Sequence, residues 1–274
     1  MQSHPMLNTA VKAARRAAGI ITRASRNLDT LTVQHKQPND LVSEVDRAAE
    51  AAIIETILDA YPHHAILAEE SGVTGESDYQ WIIDPLDGTT NFLHGFPHYC
   101  ISIALQHKGQ ITQAVVYDPN RNHLFTASRG GGAYLDNRRI RVSRRLQLSE
   151  ALLTTGFPYR DFSNLDSYFA MLKDFTTKAR AIRRPGSAAL DLAHVAAGWF
   201  DGFWEYGLSP WDIAAGVLLV QEAGGLVADF HGGEDYMQSG NVVAGTPRVF
   251  GQMMQVITPH LPKPVDPDSF AAGN

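Results

Sequence analysis

The sequence holds a single cysteine, Cys100, among its 274 residues. An intrachain disulfide and any cysteine-based zinc site are thereby excluded, and a reducing compartment, the cytoplasm, is the expected location. Inside the apolar run 99–105 this thiol reads as a small buried hydrophobe rather than a reactive group. Long apolar runs are missing as well. No window approaches the ~18 consecutive apolar residues of a membrane-spanning helix, so no membrane contact is expected. Nor is there an excess of positive charge: the formal net charge is −6, which removes the usual footprint of nonspecific nucleic-acid binding and leaves direct sequence-specific contact unexpected. Acidic residues are absent before Asp29, while Lys12, Arg15, Arg16, Arg23 and Arg26 accumulate there. Such a composition suits an organellar transit peptide. The helical spacing of Leu7, Ala10, Val11, Ala14, Ala17, Ala18 and Ile21 favours a plain amphipathic first helix instead.

What is present is a hydrophobic content of 44%, enough for one large domain or two smaller ones sharing a cleft. No internal repeat or low-complexity tract interrupts it. Pro38-Asn39-Asp40 marks a turn, and Ser43 with Asp46 forms a capping-box pattern at the start of a second helix. The buried face of that helix is predicted as Val45, Ala49, Ala52, Ile53, Ile57 and Ala60. Residues 65–68 read as a strand delivering Glu69 and Glu70, followed by a polar loop over 71–78. The run Trp81-Ile82-Ile83 is predicted to stop at Asp84. Strands over 99–106, 111–118 and 123–127, separated by Lys108-Gly109 and Asp118-Pro119-Asn120, have the form of an antiparallel meander.

The basic stretch 138–145 suggests a boundary, giving an N-terminal α+β lobe over 1–145 and a C-terminal α/β lobe over 146–274. In the second lobe helices are predicted at 164–178, 187–197, 209–223 and 247–257, with strands at 180–183, 201–205, 226–229 and 242–244. Gly224-Gly225 closes the third of these helices. The tail from Pro262, rich in Pro and Asp, reads as mobile.

The chemistry concentrates at Asp84-Pro85-Leu86-Asp87-Gly88-Thr89-Thr90. A carboxylate at the end of a buried strand is costly unless it meets a cation. Pro85 bends the chain, which can return Asp87 toward Asp84 and turn the Leu86 carbonyl into the same space. Three hard oxygen ligands favour Mg2+ over zinc or copper. Gly88 permits close backbone approach, and Thr89-Thr90 can open a helical turn whose free N–H groups face an anion. Elsewhere the residues leave alternatives. Asp212, in the first turn of an apolar helix, suits either a ligand or a helix-dipole and capping role. Of Glu69 and Glu70, one reads as a ligand and the other as a surface acid. His63, His64, His94 and His98 fit no metal or nucleophile spacing and read as surface or satisfied core histidines.

These residues together resemble the inositol monophosphatase family, in particular its bacterial SuhB-type members. The signature runs from Trp81 through Asp84-Pro85-Leu86-Asp87-Gly88-Thr89-Thr90 to Asn91-Phe92, preceded by Ala68-Glu69-Glu70-Ser71. It is followed by Gly186-Ser187-Ala188-Ala189, by Trp211-Asp212-Ile213-Ala214-Ala215 and by Glu222-Ala223-Gly224-Gly225. The resemblance extends from the first helix to about Pro259. It implies a layered αβαβα sandwich and two to three Mg2+ ions. Glu69, Asp84, the Leu86 carbonyl and Thr89 would surround the first ion, Asp84, Asp87 and Asp212 the second, and a weaker third would lean on Glu69. Thr89 with Asp46 would help activate the attacking water. Asp87, Gly88, Thr89, Gly186, Ser187, Ala188, Glu205 and Asp212 would contact the substrate. Ser187 stands where a threonine is common and Ala68 where glycine is usual, which loosens the pocket and leaves the fit of the Glu69 loop less certain.

The activity implied is hydrolysis of inositol monophosphate and related polyol monophosphates, sensitive to lithium, by a homodimer. A related phosphatase acting on a nucleotide bisphosphate, fructose bisphosphate or histidinol phosphate is the alternative within enzymes. Outside enzymes, the SuhB-type resemblance implies contact with RNA polymerase or a Nus factor in transcription antitermination, with Arg180, Arg183 and Arg184 as the candidate surface. That cluster reads equally as a dimer interface or a solvated patch.

Overall fold

The computed structural model describes residues 4–28, 33–37, 40–158 and 161–261; the predicted turn at Pro38-Asn39 and the tail from Pro262 lie outside them. Helix α1 (Pro5–Ala24) buries the predicted stripe together with Ala13, with Val11 at its half-buried margin. Strands β1 (Val33–Gln37) and β2 (Asp40–Ser43) form an antiparallel hairpin that the turn signal alone did not indicate. It leads into α2 (Glu44–Ala60), where the Ser43 N–H donates to Asp46 Oδ2 at 2.8 Å and closes the capping box. Ala60, predicted on the buried face, is exposed, because the last turn of α2 runs out into solvent beside Asp59 and Pro62.

An eight-stranded sheet occupies the first half. It comprises β3 (Ala65–Ala68), β4 (Gly72–Thr74), β5 (Tyr79–Asp87), β6 (Cys100–His107), β7 (Gln110–Asp118), β8 (His123–Ser128), β9 (Gly132–Leu135) and β10 (Arg138–Arg139), in the order β10-β9-β8-β7-β6-β5-β3-β4. The meander therefore continues two strands further than predicted. The polar loop at 71–78 contains an edge strand, β4, paired antiparallel to β3. Strand β5 does not end at Asp84. It runs on to Asp87 through an irregularity between Asp84 and Asp87, so the bend sits inside the pairing with β6.

A five-stranded sheet fills the second half, ordered β12-β11-β13-β15-β14. Its members are β11 (Leu152–Thr155), β12 (Ala181–Arg183), β13 (Gly202–Glu205), β14 (Leu226–Ala228) and β15 (Val242–Gly245). Strand β11, flanked on both sides by parallel partners, is absent from the sequence-based reading. The helices are α4 (Leu165–Lys178), α5 (Ala188–Ala196), α6 (Pro210–Glu222), the short α7 (Tyr236–Ser239) and α8 (Pro247–Ile257). A further short helix, α3 (Thr89–Leu93), lies in the first half.

Alternation along the strands sorts the core into layers. Trp81, Ile83, Ile101, Ile103, Leu105 and Val115 face α1 and α2. Ile82, Ala104, Ala114, Val116 and Phe125 face the opposite way, onto α5 and α6. The far side of the second sheet packs Leu153, Trp204 and Val243 against α4 and α8. The result is the αβαβα order, with α5 and α6 as the middle layer. Every residue of α5 is buried, including Asp191 and His194, as a helix enclosed on all sides requires.

His194 belongs to a nest with His98, His123, Phe125 and Trp199; ring centroids lie 6.0 Å apart for His98–His194 and 4.9 Å for His194–Trp199. His98 is neither a surface nor a satisfied core histidine: its Nε2, His194 Nε2 and His123 Nδ1 are buried without hydrogen-bond partners. Burial, then the Arg121 guanidinium, pushes His98 down to about 4, and burial, then the His98 ring, pushes His194 down to about 3. Between pH ~6 and ~4 the unfolded chain takes up protons that the folded chain refuses, so stability is retained above the ordinary histidine range and declines below it. The slope approaches about 1.4 kcal/mol per pH unit for each ring. Denaturant melts over this range are expected to show that decline, and His194→Phe is expected to make it shallower; an unchanged slope in the variant would remove His194 from the effect.

Candidate active site

The C-terminal ends of β3 and β5, the start of α3 and the N-termini of α5 and α6 converge on one cavity of about 270 Å3. Its lining includes Glu69, Asp84, Asp87, Gly88 and Thr89 from the first sheet and Gly186, Ser187, Ala188, Glu205 and Asp212 from the second half. Two predicted residues stand behind this wall. Leu86 is fully buried, and its carbonyl accepts a hydrogen bond from Thr89 Oγ1 at 3.1 Å. Asp46 accepts from the same hydroxyl at 2.9 Å through Oδ1, while its Oδ2 takes the Ser43 N–H. The capping role and the contact with Thr89 thus coexist in Asp46.

Asp84 is 2% exposed, and the Leu86 N–H donates to its Oδ1 at 2.9 Å. Burial, then the charges of Glu69, Asp87 and Asp212, hold its carboxyl well above the usual carboxylate range. Asp87 also stands above that range because of its burial, moderated by hydrogen bonds to Oδ2 from the Ser187 hydroxyl at 2.6 Å and the Ala189 N–H at 2.7 Å. Cys100 is buried as predicted, but its Sγ lies 3.8 Å from Asp87 Oδ2 and 3.6 Å from Ser187 Oγ, so the thiol packs against the site. Asp212 likewise combines both readings: its Oδ2 accepts the Ser209 N–H at 2.7 Å at the start of α6, and its side chain lines the cavity.

Three features escaped the sequence. Glu50, on the buried side of α2, accepts the Glu70 N–H at 2.8 Å and the Ser71 N–H at 2.9 Å and so anchors the loop that presents Glu69. Asn91 bridges the halves, donating to the carbonyls of His98 at 2.8 Å and Pro185 at 2.9 Å. Asp191 lines the cavity from α5. Glu50 and Asp191 carry no local signal, each looking like an ordinary polar residue of its helix; Asn91 lies within the signature, but its reach to Pro185 spans 94 residues.

Two glycines are dictated by space. Gly88 has φ +98°, and a Cβ there would lie 3.0 Å from the His98 carbonyl oxygen. At Gly156 a Cβ would overlap the Glu205 carboxyl, with its Oε1 only 1.9 Å away. Glu205 itself is buried, and burial, then the charges of Asp191 and Asp212, keep it well above the usual carboxylate range against the pull of Arg184. Arg184 is exposed but lines this cavity and stacks over Phe157 at 5.3 Å, whereas Arg180 and Arg183 of the same basic cluster face solvent.

The donor set is oxygen-only around the cavity, and buried acids repel one another across it, which is the chemistry of a hard divalent cation site. Among the described residues no group of three His, Cys, Asp or Glu side chains is arranged so as to hold a metal ion by itself.

The layered helix–sheet order and the acid-lined cavity define the architecture of the sugar and inositol phosphatases. The model of the inositol monophosphatase family matches residues 2–261, and the chain belongs to that family. A putative Nus factor SuhB of Neisseria meningitidis serogroup B is 54% identical over 260 residues, covering 94% of this chain and all of the relative. The crystal structure of the extragenic suppressor protein suhB from Bartonella henselae superposes with a TM-score of 0.90 at 42% identity, covering 93% of this chain and 98% of that one. An inositol monophosphatase structure from Anabaena (Nostoc) gives 0.81 at 38% identity, covering 92% and 95%.

Two changes test this geometry. Glu50→Ala is expected to destabilise the protein by roughly 1–3 kcal/mol in urea melts, because two amide donors lose a charged acceptor. Gly156→Ala is expected to leave the unfolding free energy from urea melts within ~1 kcal/mol while displacing Glu205, seen as a shifted carboxyl in a crystal structure of the variant.

Proposed function

We infer that this chain is a Mg2+-dependent phosphatase of inositol monophosphate and related polyol monophosphates. The observation that carries the reading is the burial of Asp84 among Glu69, Asp87 and Asp212 around a cavity large enough for a small phosphate ester. Two to three Mg2+ ions would be held by Glu69, Asp84, the Leu86 carbonyl, Asp87 and Asp212. Bound there, the metal supplies charge neutralisation of the phosphoryl oxygens and a water of lowered pKa.

The chain's own groups do the rest. Thr89 commits its hydroxyl proton to Asp46 and the Leu86 carbonyl, so its oxygen offers the cavity a lone pair that accepts a hydrogen bond from the attacking water. Burial raises the Asp46 carboxyl, and its hydrogen bonds from Ser43 and Thr89 pull against that. Asp46 and Thr89 therefore orient the water, with Glu69 beside it as a further acceptor. The first N–H groups of α3, at Gly88 and Thr89, have no partners within the helix and suit a phosphate oxygen. Gly186, Ser187, Ala188 and Glu205 form the wall that receives the polyol.

A second reading rests on relatives of this chain named as Nus factors. Contact with the transcription machinery would use a surface outside the cavity, for which Arg180 and Arg183 are exposed candidates. It is compatible with catalysis, as are a homodimeric state and sensitivity to lithium.

Asp87→Asn and Asp212→Asn are each expected to lower Mg2+-dependent phosphate release from inositol monophosphate by more than about 100-fold, beyond the cost of losing a second-shell partner. Activity within a few-fold of wild type in either variant sinks the assignment. In EDTA, Asp84→Asn is expected to raise Tm by relieving carboxylate repulsion and to abolish the further rise that Mg2+ gives the wild type.

A further inference from the structure

At the ends of β3 and β5 away from the cavity, the first sheet carries a fastening that the phosphatase reading leaves without a task. Trp81 of β5 is fully buried, and its indole N–H donates to His64 Nδ1 at 3.0 Å. A neutral imidazole that accepts at Nδ1 carries its proton on Nε2, so the bond selects one tautomer. Burial alone does not demand the match, since Trp204 and Trp211 bury their indole nitrogens without partners. The ring is held in plane as well. His64 stacks on Tyr61 at 4.8 Å and on Tyr79 at 4.7 Å, with interplanar angles of 12° and 8°, and Tyr79 stacks on His107 at 4.1 Å. Rings from the end of α2, the approach to β3, the start of β5 and the end of β6 thus form one column that includes His64.

The elements that meet there are the ones that present the cavity acids. Strands β3 and β5 run parallel, with Ile66 opposite Trp81 and Ala68 opposite Ile83, so a slip of one along the other moves Glu69 relative to Asp84. At the cavity end the Glu69 N–H donates to the Ile83 carbonyl at 3.1 Å. At the other end the tie between the two is His64 to Trp81. Strand β3 has only four residues, and the edge strand β4 beyond it has three, so few backbone bonds fix its register. Helix α2, whose Glu50 anchors the Glu70 and Ser71 N–H groups, is capped at its C-terminal end by Tyr61, the ring stacked on His64.

This fastening is titratable. A proton on Nδ1 sets an N–H against the indole N–H and removes the acceptor. Burial, then the charge of His63, hold His64 below the ordinary histidine value. The other titratable groups against it are Tyr61 of α2, Tyr79 of β5 and, behind Tyr79, His107 of β6. Asp78 and Lys108, next in sequence to Tyr79 and His107, pair with each other at 3.9 Å, and Asp59 and Glu76 are exposed on the neighbouring helix turn and loop.

Resting on the reading of the cavity as a divalent-cation site, we propose that His64 is a positioning residue whose bond to Trp81 sets β3 against β5 and so places Glu69 and Asp84 for the ion. Neutral His64 closes the fastening and protonated His64 opens it, so acid weakens Mg2+ binding through this residue.

The test uses the full chain and follows Mg2+ affinity by calorimetry from pH ~8 down to ~5, together with the indole N–H resonance of Trp81, assigned by its loss in Trp81→Phe. His64→Phe keeps an aromatic ring in the column and removes the acceptor. Because that variant strands a buried N–H, the double variant His64→Phe with Trp81→Phe provides an arm without an unmatched donor. Both are expected to bind Mg2+ about three- to tenfold more weakly than wild type at pH ~8. That gap is expected to close as pH falls below ~6, in step with the Trp81 resonance of the wild type. Titration of the cavity acids is common to all the proteins and cancels in the ratio, whereas a merely structural His64 leaves the ratio constant with pH. A constant ratio, equal affinities at pH ~8, or a Trp81 resonance that does not titrate overturns the positioning role and leaves the metal reading in place. A wild type that binds no Mg2+ at any pH overturns both.

Discussion

Mutual repulsion among buried carboxylates is the constraint around which this molecule is arranged. Asp84 is enclosed beside Glu69, Asp87 and Asp212, and burial adds to the repulsion. A chain does not keep such a group on hydrophobic grounds, since a neutral side chain of the same size would fold more stably. The surrounding structure shows how the strain is contained. Three of these acids have an oxygen held by a backbone N–H: Leu86 for Asp84, Ala189 for Asp87 and Ser209 for Asp212. Those bonds fix the carboxylates in place while leaving oxygen capacity directed at the cavity.

The same economy appears in the helix starts. Asp46 and Asp212 each satisfy the N–H of a helix cap and serve the cavity with what remains. The proposed function thus draws on groups that local structure already requires, so a capping pattern and a candidate site residue coincide at one position. The cost is borne elsewhere in the middle layer, where α5 encloses Asp191 and His194 in apolar surroundings and leaves ring nitrogens and an acid oxygen unmatched.

Much of this could be read along the chain. The alternation at Trp81-Ile82-Ile83, the punctuation at Asp84-Pro85 and the capping pattern at Ser43 are short-range signals, and the structure places Glu69, Asp84, Asp87, Thr89, Glu205 and Asp212 around one space. What could not be read depends on partners far apart. Glu50 touches a loop 20 residues on, and the Ser187 hydroxyl reaches Asp87 across 100 residues. Strand β11 is brief and pairs in parallel with strands far along the chain, Leu152 with Ala181 and Leu153 with Gly202, so no turn announces it. Asp191 sits inside Ala-Ala-Leu-Asp-Leu-Ala, where helical periodicity marks it as neither exposed nor apolar.

Asn91 lies at the seam between the halves. Its amide joins the His98 carbonyl of the first half to the Pro185 carbonyl of the second, and nearby Ser187 and Ala189 grip Asp87. A clamshell movement that parted the sheets would tear all of these links at once and unseat an acid of the cavity wall. The chamber therefore stands ready-made between the two sheets, with the exposed Arg184, stacked over Phe157, part of its lining.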